Sequence, residues 1–214
     1  MREERILREK RYKRELIISA AKNLFYEKGV KDTSVDQIAK ESGFTKKTVY
    51  NYFKSKDEIY YEVVKTAFQK LHAYLSDNLD VQSNKKSYEK IKSLGEAFVN
   101  FNKEFNNDFK LFSEFENTNM EEILKSDTAI SIYQEGEFVV KLLQRIIEEG
   151  IVKEEIKEDI DVKKVVVLLW GSITGMINLI NYKKEYIEKA FKLDIYEMLD
   201  YSFDVIIKSI RKEG

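Results

Sequence analysis

There is no proline anywhere in the 214 residues, and only eight are glycine. Those two residues punctuate chains made of short strands and tight turns, so a turn-rich all-β fold is disfavoured. Glu, Lys, Ile and Leu are abundant instead, and they sit well in helices. Hydrophobic residues make up 43% of the chain, enough to bury a sizeable core, which rules out general disorder. The absence of cysteine excludes disulfides, thiolate metal sites and cysteine nucleophiles. A single histidine, His72, leaves no multi-histidine metal site. The expected fold is all-α, with neither metal nor cofactor.

The net charge of −1 hides an asymmetry. Residues 1–60 hold 15 Lys/Arg and 10 Asp/Glu, whereas residues 61–214 hold 22 and 28. The basic excess is densest at the start, at Arg2, Arg5, Arg8, Lys10, Arg11, Lys13 and Arg14. A basic head attracts polyanions by counterion release, and an acidic body resists them. Residues 2–14 either add minor-groove or phosphate contacts or form a solvated, disordered or helical extension. They lack the apolar core of an export signal. The longest apolar run, 165–180, is interrupted by Ser172, Thr174 and Asn178 and falls short of the roughly 20 residues a bilayer needs. A cytoplasmic chain with no membrane partner is expected.

Along the head, Ile17, Ala20, Ala21, Leu24 and Phe25 follow the spacing of an amphipathic helix over about 10–28, and Gly29 suits its left-handed end. Ser34 with Gln37 fits a capping box opening a short helix, Val35–Glu41, whose inward face is Val35, Ile38 and Ala39. Gly43 breaks the pattern, and Thr45 suits the N-cap of a helix over 46–53. Ser55 with Glu58 forms another capping box, before a long helix striped by Ile59, Val63, Ala67, Leu71 and Leu75. Three helices in about 45 residues, with a glycine turn before the third, form a helix-turn-helix. The last of these turns Thr45, Lys46, Lys47, Thr48, Tyr50 and Asn51 outward and keeps Val49 and Phe53 for the core. Donors and cations at the N-terminal end of such a helix fit a DNA major groove. An ordinary surface helix with a lysine pair shows the same pattern.

Four segments, in this order and spacing, resemble the DNA-binding domain of the tetracycline-repressor (TetR/AcrR) family of bacterial regulators: Ile18–Gly29 (ISAAKNLFYEKG), Thr33–Gly43 (TSVDQIAKESG), Thr48–Phe53 (TVYNYF) and Lys56–Ile59 (KDEI). The resemblance covers the first 60 residues. It implies a homodimer whose third helices enter successive major grooves of a roughly palindromic operator in double-stranded DNA, and usually a repressor released by a small-molecule effector. It also implies that Thr45, Lys46, Lys47 and Thr48 meet bases and nearby phosphates, and that Tyr50 and Tyr52 touch the backbone. Lys56 takes the family's phosphate-binding position, and Thr33 and Ser34 open the second helix against the backbone. Asn51 stands where the family varies. Residues 1–60 are then the reading head, with its basic arm, and residues 61–214 the ligand-binding and dimerisation domain, about nine helices in all.

In the body, Phe98, Phe101, Phe105, Phe109, Phe112 and Phe115 lie within roughly a 120° helical arc, with Asn106–Asp108 dividing the stretch into two helices. They make either a phenylalanine-rich core or part of an apolar ligand pocket. The candidate pocket comprises Phe68, Leu71, His72, Phe98, Phe101, Phe105, Phe112, Tyr133 and Trp170, with Tyr74 and Glu114 as further polar handles, and it favours an apolar or aromatic effector. A helix over 127–149 is expected to end at Gly150, and another begins near Asp161. The latter resembles the family helix that pairs with the last helix, here about 194–211, across the dimer. The candidate interface is Leu169, Ile173, Ile177, Leu199, Phe203, Ile206 and Ile210, with Gly171 and Gly175 permitting close approach. A wholly buried pair within one chain is the alternative.

No Glu-x-x-His pair, glycine-rich phosphate loop or Gly-x-Ser-x-Gly elbow occurs, so no catalytic residues are assigned. The remaining alternative is a helical adaptor, or a DNA-binding protein with no small-molecule effector.

Overall fold

A computed structural model of the chain describes residues 2–80 and 83–212. Among these it contains ten helices and no strand: α1 Arg2–Lys28, α2 Val35–Glu41, α3 Lys46–Tyr52, α4 Lys56–Asn78, α5 Ser87–Glu104, α6 Asn106–Glu116, α7 Met120–Ile123, α8 Asp127–Val152, α9 Val162–Phe191 and α10 Ile195–Ile210. They sort into two compact units, residues 1–69 with 114–133, and residues 70–113 with 134–214.

In the first unit, α1 buries the five residues of its predicted stripe, from Ile17 to Phe25. The capping box at α2 is present. Gln37 N donates to Ser34 Oγ at 3.3 Å, and Ser34 N donates to the Gln37 side-chain carbonyl at 2.8 Å. At the head of α4, Ser55 Oγ accepts from Glu58 N at 3.1 Å. The Glu58 carboxylate answers to Lys54 N rather than to Ser55, one residue earlier than a capping box requires.

The second unit is built around α5, α9 and α10. Gly95 on α5 lets the Phe203 ring of α10 approach so closely that a Cβ would lie 2.4 Å from it. The break between α5 and α6 falls at Phe105, one residue before the expected asparagines. Gly150 does not end its helix as expected. The α8 helix runs on to Val152, and a Cβ at Gly150 would meet Ile156 at 2.6 Å and Ser87 at 2.8 Å. That glycine serves close packing, and the positive φ that reverses the chain falls on Glu154 (φ 60°).

The α9 helix starts at the expected cap, where Lys164 N donates to the Asp161 carboxylate at 3.2 Å. It continues well past the 16-residue apolar run, and by length and composition it is long and apolar enough to cross a membrane. The length argument against a membrane span therefore does not hold for the helix. The apolar content has a second source, because α9 is apolar on two sides. Val165, Val166, Leu169, Ile173, Ile177 and Ile180 are buried in the chain's own core, and a second apolar face is exposed.

Candidate nucleic-acid interface

The turn between α2 and α3 depends on Gly43, whose φ of +74° is strained for any side chain although space around it is open. Phe44 N closes the turn onto Ala39 O at 2.8 Å. Thr45 then caps α3, its hydroxyl accepting from Thr48 N at 3.2 Å and bonding the Thr48 hydroxyl at 2.9 Å. Val49 and Phe53 are fully buried and set the roll of the helix about its axis. That roll leaves Thr45, Lys46, Lys47, Tyr50 and Asn51 exposed, with Thr48 and Tyr52 half-buried beside them. Lys46 leans back onto Asp36 of α2 at 2.8 Å, and that hydrogen bond and charge raise its pKa above the ordinary range. The pair is exposed on both sides and contributes little to stability. Among the described residues Lys47 has no ion pair.

Two residues assigned to phosphate sit differently. Thr33 is 2% exposed, and its hydroxyl donates to Gly29 O at 2.8 Å. It ties down the loop after α1 and does not face outward. The Lys56 ammonium donates to Val30 O at 2.8 Å, Thr33 O at 3.0 Å and Lys31 O at 3.4 Å. All three of its protons are therefore directed at the α1–α2 loop. Ser34 is exposed at the N-cap of α2, with its hydroxyl engaged by Gln37.

Residues 17–63, which span this arrangement from the first buried residue of α1 to the first turns of α4, match the family described as bacterial regulatory proteins, tetR family. The segment that carries α2 and α3 is thus similar to the DNA-binding domain of tetR-family regulators. The chain is 27% identical over 168 residues to the fatty acid metabolism regulator protein of Bacillus subtilis, covering 78% of this chain and 82% of that one. Over 72 residues it is 39% identical to the biofilm operon icaADBC negative transcriptional regulator IcaR of Staphylococcus aureus, covering 34% of this chain and 37% of the other. The fold is similar to that of the FadR regulator of Bacillus subtilis solved in complex with stearoyl-CoA. The TM-score is 0.65 at 23% identity, over 90% of this chain and 96% of that one. The curated relatives it matches are regulators, a fatty acid metabolism regulator and a negative transcriptional regulator.

In the body, five of the nine candidate pocket residues are buried. In the first unit Phe68 is buried edge-on to Phe115, and Tyr133 is 39% exposed. In the second unit Leu71, Phe98, Phe101 and Phe112 are packed as core, with Tyr74 edge-on to Phe101 and Phe105. His72 stacks on Phe138 at 3.8 Å, its Nδ1 lies 3.9 Å from the Glu135 carboxylate, and it is half-exposed, as is Trp170. The buried rings pack as core, because apolar side chains at helical spacing find partners among their neighbours. A cavity of about 230 Å³ in the second unit is lined by Tyr74, Asn78, Asp80, Lys85, Lys90, Ser93, Glu96, Asn100 and apolar neighbours including Leu94 and Ile146. The sequence signal for it was Lys90, a lysine 7% exposed in the apolar register of α5 beside Ile91 and Leu94.

The seven residues proposed for the dimer interface are all buried within one chain, from Ile177 at 0% to Ile206 at 8%. They make the α9–α10 core, which is the intrachain alternative. The face that is open carries Val167, Leu168, Leu179 and Tyr182 on α9, with Tyr201 and Val205 on α10. Gly171 and Gly175 lie in the same stripe, with nothing within 4 Å of where a Cβ would be.

Proposed function

We propose that the chain is a ligand-responsive repressor that binds a roughly palindromic operator as a homodimer and is released by a small apolar or aromatic effector. The observation that carries this reading is the outward face of α3, a row of donors and a free-standing lysine held in register by buried Val49 and Phe53. The pairing of two such heads is supported by the exposed apolar stripe of α9 and α10, with glycines at its centre where helices can approach closely. An effector with a long apolar chain is supported by the stearoyl-CoA held by the similar FadR fold. Release follows if the effector prefers a conformation whose heads no longer match successive major grooves, about 34 Å apart.

The test is selection of duplexes from a random pool by the purified chain, followed by titration of the complex with stearoyl-CoA. Recovery of a two-fold site that the thioester releases, and that coenzyme A alone does not, supports the whole reading. Base contacts set ranking among sites, so Lys47→Ala is expected to reorder the selected sequences, not merely weaken all of them. Selection of no site at all defeats the reading. A site released by neither compound leaves a repressor without this effector.

A further inference from the structure

The α1 helix does not begin where the core requires it. Its first buried residue is Ile17, yet it is helical from Arg2, and residues 2–12 are exposed throughout. At 1.5 Å per residue this free portion extends about 16 Å. Helix there incurs no nucleation cost, because it propagates from a turn already packed. It is reinforced by Glu3 and Glu4 in its first turn and by Lys13 bonded to Glu9 one turn earlier at 2.7 Å. The base of the arm is fixed. Arg14 pairs with Glu62 of α4, and its guanidinium lies 4.4 Å from the centroid of the Phe53 ring, the residue that ends α3. The free portion therefore projects from beside the C-terminal end of the helix that reads DNA. Residues 2–14 carry seven cations against three carboxylates.

We propose that this projecting helix is a second DNA-contacting element, which lies along the phosphate backbone outside the bases reached by α3. The inference rests on the reading of α3 as the recognition helix, and it adds an electrostatic grip on flanking DNA that carries no base information. Its reach corresponds to about five base-pair steps. The surface does not suit burial against a protein or a bilayer as well as it suits phosphate. Only Ile6, Leu7 and Tyr12 are large apolar residues on it, and the three-residue spacing of Arg5, Arg8 and Arg11 puts them on one side of the helix. Guanidinium groups at that spacing hold phosphate oxygens with paired hydrogen bonds.

The test uses the full chain and two duplexes bearing the site it selects, one trimmed to that site and one with ten further base pairs on each side. The wild type is expected to bind the longer duplex more tightly. The Arg5→Gln, Arg8→Gln, Arg11→Gln variant is expected to lose that advantage by roughly tenfold between 50 and 200 mM salt, with a salt slope flatter by about 0.9 for each phosphate contact removed. Both proteins should bind the trimmed duplex alike. A control with Lys110→Gln, Lys141→Gln and Lys153→Gln, which removes equal charge from the second unit, should retain the advantage. Equal behaviour of wild type and arm variant on the longer duplex overturns the proposal while leaving the reading of α3 intact. Loss of the advantage in the control as well overturns it in favour of net charge. Arm-dependent recruitment to vesicles of equal parts phosphatidylglycerol and phosphatidylcholine, with no length advantage on DNA, overturns it in favour of a membrane. Failure to select any duplex removes both readings together.

Discussion

Lys56 shows how a residue placed at a ligand-binding position acquires a structural duty. Its ammonium is directed at three carbonyls of the α1–α2 loop, two of them in part-buried contacts, so removing it takes away hydrogen bonds that hold the loop. Lys56→Ala is expected to lower the stability of the chain by about 1–3 kcal/mol in urea unfolding. An unaltered midpoint with a flatter salt slope in DNA binding would return it to the phosphate. Glu116, at the end of α6, is a second residue whose behaviour follows from burial. Desolvation pushes its pKa up to about 7 from an ordinary 4.5. Its folded state then holds a proton that the unfolded state has lost, so stability falls as pH rises from about 4.5 to 7. Glu116→Gln is expected to be more stable than wild type by about 1–2 kcal/mol at pH 8, with the difference vanishing below pH 4.5. Thermal melts across that range check the sign.

At the scale of elements, the short helices are set by their caps and the long ones by what they pack against. Ser34 and Thr45 start α2 and α3 where the sequence placed them, because a side-chain acceptor three residues ahead of an orphan N–H is a local matter. Gly95 is different, since its role lies wholly in the ring that faces it from α10. Gly95→Ala is expected to cost about 1–3 kcal/mol, and Phe203→Leu in the same chain should restore part of the loss. Additive losses in a double-mutant cycle would rule out that contact. The junction of α5, α6 and α9 holds a similar long-range feature. Asn102, 3% exposed, exchanges amide hydrogen bonds with Asn181 at 3.0 and 3.1 Å, and Asn106 donates to both at 3.2 and 3.0 Å. Three asparagines spread over 80 residues give no local hint of that meeting.

At the scale of the molecule, the exposed stripe of α9 and α10 decides the oligomeric prediction. Leu168 is 55% exposed and Tyr201 62% in the single chain, so charging them does not disturb its core. The Leu168→Lys, Tyr201→Asp variant is expected to sediment as one subunit with unchanged helicity, and to lose most of its affinity for a two-fold site while keeping weak binding to a half-site. Sedimentation at the wild-type mass would exclude this face as the interface.

The caps of α2 and α3 and the inward stripes of α1 to α4 were legible in the sequence because each depends on residues three or four apart. The outward row of α3 was legible for the same reason, since naming Val49 and Phe53 as core leaves the other side for DNA. What only the tertiary structure decided is which apolar side of a two-sided helix its own chain covers. Leu169, Ile173 and Ile177 face α5 and α10, and Val167, Leu168 and Tyr182 face outward, although both sets repeat at helical spacing. Periodicity identifies a stripe but not its partner, because burial is a property of the surfaces that meet and not of the helix that carries them.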